Sequence, residues 1–243
     1  MNQPTISVII PVFNGKRTLH AALQSVWEQS FPAHEIIVID GGSTDGTREL
    51  LESLKLRIHH LISERDAGVF DAINKGIALA TGEWIYVLGS DDVLAAPDTF
   101  ETISSHLAAS QSLVFGSIHN LNIKQSLVPE VHISSMTSML YVRNTLHQQS
   151  VFYPRSLFIE TIFDPSLKVL ADYDFHLHLF SKGQTGKYVD VVVAHCDASG
   201  LSKQFNRSLY REEYRLKKKH LGIVAATLLV PVLILKYLLK KRR

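Results

Sequence analysis

The chain has 243 residues, 46% of them hydrophobic and 20% charged, which suits one domain with a sizeable core and excludes wholesale disorder. Its formal net charge of +2 conceals an asymmetry: positions 1–200 carry 13 Lys/Arg against 21 Asp/Glu, and positions 201–243 carry 12 against 2. An acidic body and a basic tail should meet different partners, and with Cys196 as the only cysteine no internal disulfide is available.

Met1-Asn2-Gln3-Pro4 leads directly into Ile6–Ile10, a β-branched run ended by Pro11 that reads as a buried strand. No leader-like stretch precedes it, so the body is expected to fold in the cytosol. Asn14-Gly15 breaks the chain, and Leu19, Ala22, Leu23, Val26 and Trp27 then recur at helical spacing until Phe31-Pro32. A second strand spans Ile36–Asp40, and Ser43 to Asp45 offer caps for the helix after Gly41-Gly42. His59–Ser63 reads as a third strand, Val69–Ala80 as a helix closed by Thr81-Gly82, and Trp84–Leu88 as a fourth strand running into Gly89-Ser90-Asp91-Asp92. Further on, Leu113–His119 has strand character, Asn120 to Asn144 gives mixed signals, a helix starts near Asp172, and a strand lies around Val189–Val193.

Strands and helices alternating at short spacing predict right-handed βαβ units, a largely parallel sheet and an α/β fold. Such sheets bind ligands in the crevice at the carboxyl ends of their strands. Those ends carry Asn14, Asp40, Glu64 to Asp66, and Asp91-Asp92, so the polar residues of this half are expected on one edge. Adjacent carboxylates at a strand end repel each other unless a cation neutralises them, and Mg²⁺ or Mn²⁺ bridging to phosphate oxygens does this. Asp40 beside a glycine-rich turn that opens a helix can accept hydrogen bonds from a nucleoside, and the helix N-terminus attracts anions.

Together, Val8–Asn14, Ile37–Thr47, Asp71–Ile77 and Gly89–Asp92 resemble, in order and spacing, the motifs of family-2 glycosyltransferases, above all those of bacterial surface-polysaccharide synthesis. The likeness is strong over most of the first 110 residues and loose over the next 90. It implies a GT-A fold (Rossmann-like, a mostly parallel central sheet with flanking helices), a nucleoside-diphosphate-sugar donor, a divalent Mn²⁺ or Mg²⁺, and inversion at the anomeric carbon. Uracil is the expected base, with guanine and thymine as alternatives. Carried over by position, Pro11, Val12, Phe13 and Asn14 line the nucleoside pocket and Asp40 accepts from the base. Asp91 approaches the ribose or phosphates, Asp92 holds the metal, and Arg65 and Asp66 lie near the nucleotide. An inverting transfer also needs a general base for the acceptor hydroxyl. Asp172 takes that position, with Asp174 as second candidate, although Ala171 stands where relatives have Glu and His178 where they often have Arg. His147-Gln148-Gln149 resembles an acceptor-side segment. His195 precedes Ser199-Gly200-Leu201-Ser202, where relatives have a glycine-serine loop over the active site.

Three other readings fit less well. A dinucleotide oxidoreductase should show Gly-x-Gly-x-x-Gly after the first strand, where this chain has Pro11-Val12-Phe13-Asn14-Gly15. A sugar-phosphate nucleotidyltransferase should open with a glycine-rich loop bearing Arg and Lys. A catalytically inactive membrane adaptor has no need of Asp40, Asp91, Asp92 and Asp172.

The tail reads as a separate object. Arg207 to His220 is dense in Arg and Lys, Leu221 to Leu235 has no charge, and Lys240-Lys241-Arg242-Arg243 closes the chain. A helix over Leu221–Leu239 measures about 28 Å, close to the hydrocarbon thickness, with Pro231 and Lys236 against a span. Basic blocks around an apolar run fit an anionic membrane surface rather than nucleic acid. The expected organisation is a domain over 1–205, with a nucleotide-sugar half at 1–110 and an acceptor half at 111–205, followed by a membrane-associating segment at 206–243. The acceptor is then expected to be a lipid-linked or cell-surface glycan, and the location the cytoplasmic face of the inner membrane.

Overall fold

The structure is a computed structural model and describes residues 3–107, 112–123, 128–197 and 207–241. Strands β1 (Ile6–Val12), β2 (Glu35–Asp40), β3 (His60–Ser63) and β4 (Trp84–Val87) alternate with helices α1 (Leu19–Trp27), α2 (Thr47–Leu54) and α3 (Val69–Leu79). The short β5 (Val93–Leu94), α4 (Thr99–Leu107), β6 (Leu113–Leu121), β7 (Val131–Ile133) and β8 (Val151–Pro154) follow. The chain continues with α5 (Ala171–Ser181), β9 (Gly186–Asp197), α6 (Arg207–Leu228) and α7 (Val230–Lys241).

Among the described residues, nine strands join one sheet in the order β3-β2-β1-β4-β8-β6-β9-β5, with β7 on β6. The first four are parallel, as the alternating pattern predicts. Beyond them the sheet is mixed rather than mostly parallel: β8 is antiparallel to both β4 and β6, and β5 is antiparallel to β9. The reversal arises because β8 enters between β4 and β6 from the opposite end, a long-range pairing invisible to local periodicity.

Side-chain alternation along the strands divides the core in two. Val8 and Ile10 face Leu19, Leu23 and Val26 of α1 together with Phe100 and Ile103 of α4. Ile9 and Ile37 face the other layer, where Phe70, Ile73 and Ile77 of α3 meet Tyr173, Phe175 and Leu177 of α5. At the amino ends of the strands Glu35 is buried, and its Oε1 accepts from Ser7 Oγ, Thr81 N and Thr81 Oγ1 at 2.6, 2.6 and 2.9 Å. Burial by itself raises its pKa, but these donors and Gly82 N–H outweigh that and hold it at about 2.

The tail departs from the single helix expected of it. Gly222 adopts φ +80°, a left-handed conformation that breaks α6 internally. A second break precedes α7, where Pro231 sits in the first turn, the one place a helix tolerates it. Among the described residues no single helix is long and apolar enough to cross a membrane, whereas the pair Arg207–Leu228 and Val230–Leu238 meets that length and composition together, bent by 81°. Ile223, Val224, Leu228, Ile234 and Leu235 stand exposed on it. The first half of α6 does the opposite: Leu209 and Leu216 are buried, and α6 lies against α5.

Candidate active site

At the carboxyl ends of β1, β2 and β4 lies an open cleft of about 1310 Å³. Parallel pairing places Val12 beside Asp40 and Asp40 beside Ser63, so these strand ends share one edge. Pro11, Val12, Phe13, Arg65, Asp66, Asp91, Asp92, His147 and Asp172 all line the cleft, although they come from positions 11 to 172. Phe13 is 65% exposed there, an unusual position for a phenylalanine and a ready stacking surface.

Two expected nucleoside contacts have a different geometry. Asp40 is fully buried and does not reach the cleft. Its Oδ1 accepts from Ser43 N and Ser43 Oγ, and its Oδ2 from Ser63 Oγ at 2.6 Å. Asn14, at φ +53°, donates its N–H to Ser43 Oγ at 2.7 Å, and its Oδ1 accepts from Thr44 N at 2.9 Å. Both therefore bind the turn after β2, and neither lines the cavity. Asp45, read as a possible cap, accepts from Thr47 N at 3.0 Å one residue ahead of the N-cap Gly46.

Asp91 and Asp92 stand at the end of the turn after β4. Asp92 is 5% exposed, and its Oδ1 accepts from Asp197 N at 3.1 Å. Burial first, and then the charges of Asp91 and Asp197, raise its pKa to about 7. Burial likewise raises Asp91. A Cβ at Gly89 would collide with Asp92 Oδ2, so a side chain there would displace the Asp92 carboxylate. Among the described residues no group of three or more His, Cys, Asp or Glu is arranged to hold a metal ion by itself. The Asp91-Asp92 pair supplies hard oxygen donors for Mg²⁺ or Mn²⁺, ions that fill the rest of their shell with water and phosphate oxygens. The residues present fit such an ion when a diphosphate shares it.

The first turn of α5 borders the same cleft. Asp172 lines the cleft, and its Oδ2 accepts from Asn144 Nδ2 at 3.3 Å. Asp174, two residues on, faces away: Lys219 Nζ and His220 Nε2 each reach its carboxylate at 2.7 Å. Burial opposes ionisation of Asp174, yet the hydrogen bonds and charges of these partners hold its pKa below the ordinary value. His195 lies on β9 beside His119, with ring centroids 5.2 Å apart, and does not line the cleft. His178 does not line it either. The Ser199-Gly200-Leu201-Ser202 loop lies outside the described residues.

Sequence reasoning passed over Asp197, Asn144, Arg143 and Lys168, all of which line the cleft. Asp197 ends β9, four residues beyond the strand expected there, so periodicity stops short of it. Tyr210, Glu213 and Lys236 of the tail line it as well.

The sequence profile described as Glycosyl transferase family 2 matches residues 7–162. PGL/p-HBAD biosynthesis glycosyltransferases of Mycobacterium tuberculosis and Mycobacterium bovis are 35% identical over 204 residues, covering 80% of this chain and 77% of theirs. An Escherichia coli UDP-Glc:alpha-D-GlcNAc-diphosphoundecaprenol beta-1,3-glucosyltransferase, WfgD, is 32% identical over 123 residues, 50% of this chain and 49% of its own. In three dimensions the chain resembles S. aureus TarS 1–349 in complex with UDP-GlcNAc, at TM-score 0.67 and 19% identity, over 87% of this chain and 65% of that one. A Pyrobaculum calidifontis mannosyltransferase in complex with GDP-Man and Mn²⁺ matches at TM-score 0.58 and 20% identity, over 93% of this chain and 64% of that one. The chain thus spans just under two thirds of these structural neighbours, and at such identity their likeness speaks for the fold.

Proposed function

Because this chain belongs to glycosyl transferase family 2 and is a glycosyltransferase of glycan biosynthesis acting on nucleotide sugars, we propose that it moves a sugar from a UDP-sugar to a hydroxyl of a lipid-linked glycan, with inversion. The observation that carries the reading is that one cleft is lined both by the Asp91-Asp92 end, with Asp92 buried and Asp91 exposed, and by Asp172. The donor half, over 1–110, takes the nucleotide: Phe13 stacks on the base, Arg65 and Asp66 flank it, and Asp91 faces the ribose or phosphates. Asp40 and Asn14 hold the turn after β2 in shape, a supporting role in place of direct contact. The chain's neighbours support UDP as the nucleotide, since TarS is described in complex with UDP-GlcNAc and WfgD is named for UDP-Glc.

In the reaction, Asp172 takes the proton of the acceptor hydroxyl as that oxygen bonds to the anomeric carbon from the face opposite the diphosphate. The bond from the anomeric carbon to the donor phosphate oxygen breaks, and its electron pair leaves with UDP. Asn144 orients the Asp172 carboxylate. Asp92, with Asp91 beside it, would hold the divalent cation, which would supply charge stabilisation for the leaving diphosphate. Asp174 is a scaffold carboxylate, and Asp172 is the base. His147 borders the acceptor end of the cleft, and His195 has no part in it.

Exposed apolar residues on the bent tail, set among basic ones, support a segment lying at an anionic membrane surface on the cytoplasmic side, where a lipid-linked acceptor also sits. Offering UDP-glucose, UDP-galactose and UDP-N-acetylglucosamine in turn, with a detergent-solubilised N-acetylglucosaminyl diphosphoprenol, tests the proposal. UDP release together with a new β-linkage from an α-configured donor, read by NMR, is the expected result. An α-linkage would refute inversion, and release of a sugar 1-phosphate would refute transfer.

A further inference from the structure

Glu212 and Glu213 are the last acidic residues of the chain and the only two after position 200. Both are buried. With Leu209, Leu216 and Lys217 they form the buried stripe of α6, at the spacing of one helical face. Glu212 therefore points into the protein rather than toward a membrane.

Its carboxylate meets three consecutive backbone amides. Lys168 N donates to Oε1 at 3.0 Å, and Val169 N and Leu170 N donate to Oε2 at 3.1 and 3.3 Å. The next residues are Ala171 and Asp172, the first turn of α5. A buried carboxylate accepting three N–H groups is charge-assisted at every contact and uses both oxygens, so it fixes the path of the segment it holds. The same face of α6 grips the other neighbours of Asp172. Lys217 Nζ donates to Tyr141 O and Val142 O at 3.0 Å each and to Tyr173 Oη at 3.2 Å. Lys219 and His220 hold Asp174. Asn144, the donor to Asp172, lies two residues beyond Val142. Residues on both sides of Asp172 are thus tied to α6, while the Asp172 side chain itself is left to line the cleft.

We propose that Glu212 is a positioning residue for the transfer: it holds the segment that enters α5 so that the Asp172 carboxylate meets the acceptor hydroxyl. This rests on the reading of Asp172 as the base. It makes the first half of α6 part of the catalytic apparatus, in addition to whatever the apolar remainder does at a membrane.

The test uses full-length protein in detergent with Glu212→Gln and Glu212→Asp. Glutamine puts an NH₂ group where one acceptor oxygen stood, against backbone N–H groups that also donate. Hydrogen exchange at Lys168 to Asp172 should quicken by about tenfold or more. The UDP affinity measured by calorimetry should stay within about twofold of the parent. UDP release from the UDP-sugar that the parent turns over should fall by about 10- to 100-fold with the donor KM unchanged, as misplacement of a base predicts. Glu212→Asp should recover part of that loss. A folded Glu212→Gln protein with parental exchange at 168–170, or with turnover within about twofold of the parent, overturns the proposal. So does a parallel fall in UDP affinity, unfolding midpoint and turnover, which would mark a general stabiliser. If the parent binds no UDP, the donor reading fails, while the exchange result still judges the Glu212 clamp.

Discussion

The two sides of the cleft are built by different rules. The proposed donor side comes from four consecutive parallel strands, and its candidate residues sit in the last positions of the strand that carries them or a few positions beyond it. The proposed acceptor side is assembled from distant pieces: Asn144 before β8, Asp172 at the start of α5, and an α6 that returns from the end of the chain to hold them. Contacts close in sequence make the first side a local property of βα units. The second exists only once positions 141–144, 168–174 and 209–220 have met. Nucleotide binding should therefore tolerate damage to the acceptor side, whereas transfer should be lost by damage to either.

The sharpest way to break that comparison is Asp172→Asn. Loss of a general base lowers turnover by about 10²- to 10⁴-fold, and UDP binding should be unaffected. Turnover within tenfold of the parent would remove Asp172 from the chemistry. Next in size is Glu35→Gln, which turns the amide NH₂ toward a nest of donors beneath the donor-side sheet and should cost roughly 3 kcal/mol in denaturant unfolding. Its folded pKa of about 2 lies below the unfolded value of 4.5. The stabilisation is therefore complete above pH 4.5 and is lost as pH falls toward 2.

On the acceptor side, Asp174→Asn should cost about 2 kcal/mol by unpairing Lys219 and His220, with hydrogen exchange rising in α5 and α6 while UDP affinity holds. The folded pKa of Asp174 is also depressed, from 3.8, so its contribution is present above pH 3.8 and disappears as pH falls through its lower folded value. Asp174→Asn should flatten that acid limb. The smallest effect is Phe13→Ala. Losing one base-stacking surface should weaken UDP binding by about 1 kcal/mol, roughly fivefold, without moving the unfolding midpoint.

The same contrast governs what could be read in advance. Strands β1 to β4 and helices α1 and α3 follow from β-branched runs and apolar spacing, and the edge that collects Phe13, Arg65, Asp66, Asp91 and Asp92 follows from parallel pairing. Asp40 and Asn14 were legible as members of that edge, but the bonds that turn Asp40 inward onto Ser43 and Ser63, and tie Asn14 to Ser43 and Thr44, are not placed by periodicity. On the far side, Asp172 was reached through family resemblance. Its separation from Asp174 is decided by Lys219 and His220, 45 and 46 residues away. The tail misleads in one respect: its buried stripe contains Glu212, Glu213 and Lys217, so a reading by hydrophobicity finds a basic solvated helix where a packed one stands. Two acids in an otherwise basic segment, at helical spacing from Leu209 and Leu216, were the available signal. Gly222 and Pro231 similarly marked where the apolar run would bend.

Calorimetric titration of UDP decides whether one cleft has a cation-assisted nucleotide side and a separable catalytic side. The titration is run with Mn²⁺ and then with EDTA, into the parent, Asp92→Asn and Asp172→Asn. Mn²⁺-dependent binding of equal strength in the parent and Asp172→Asn, and its loss in Asp92→Asn, is the expected result. Failure of the folded parent to bind UDP, or equal binding by Asp92→Asn, would contradict it.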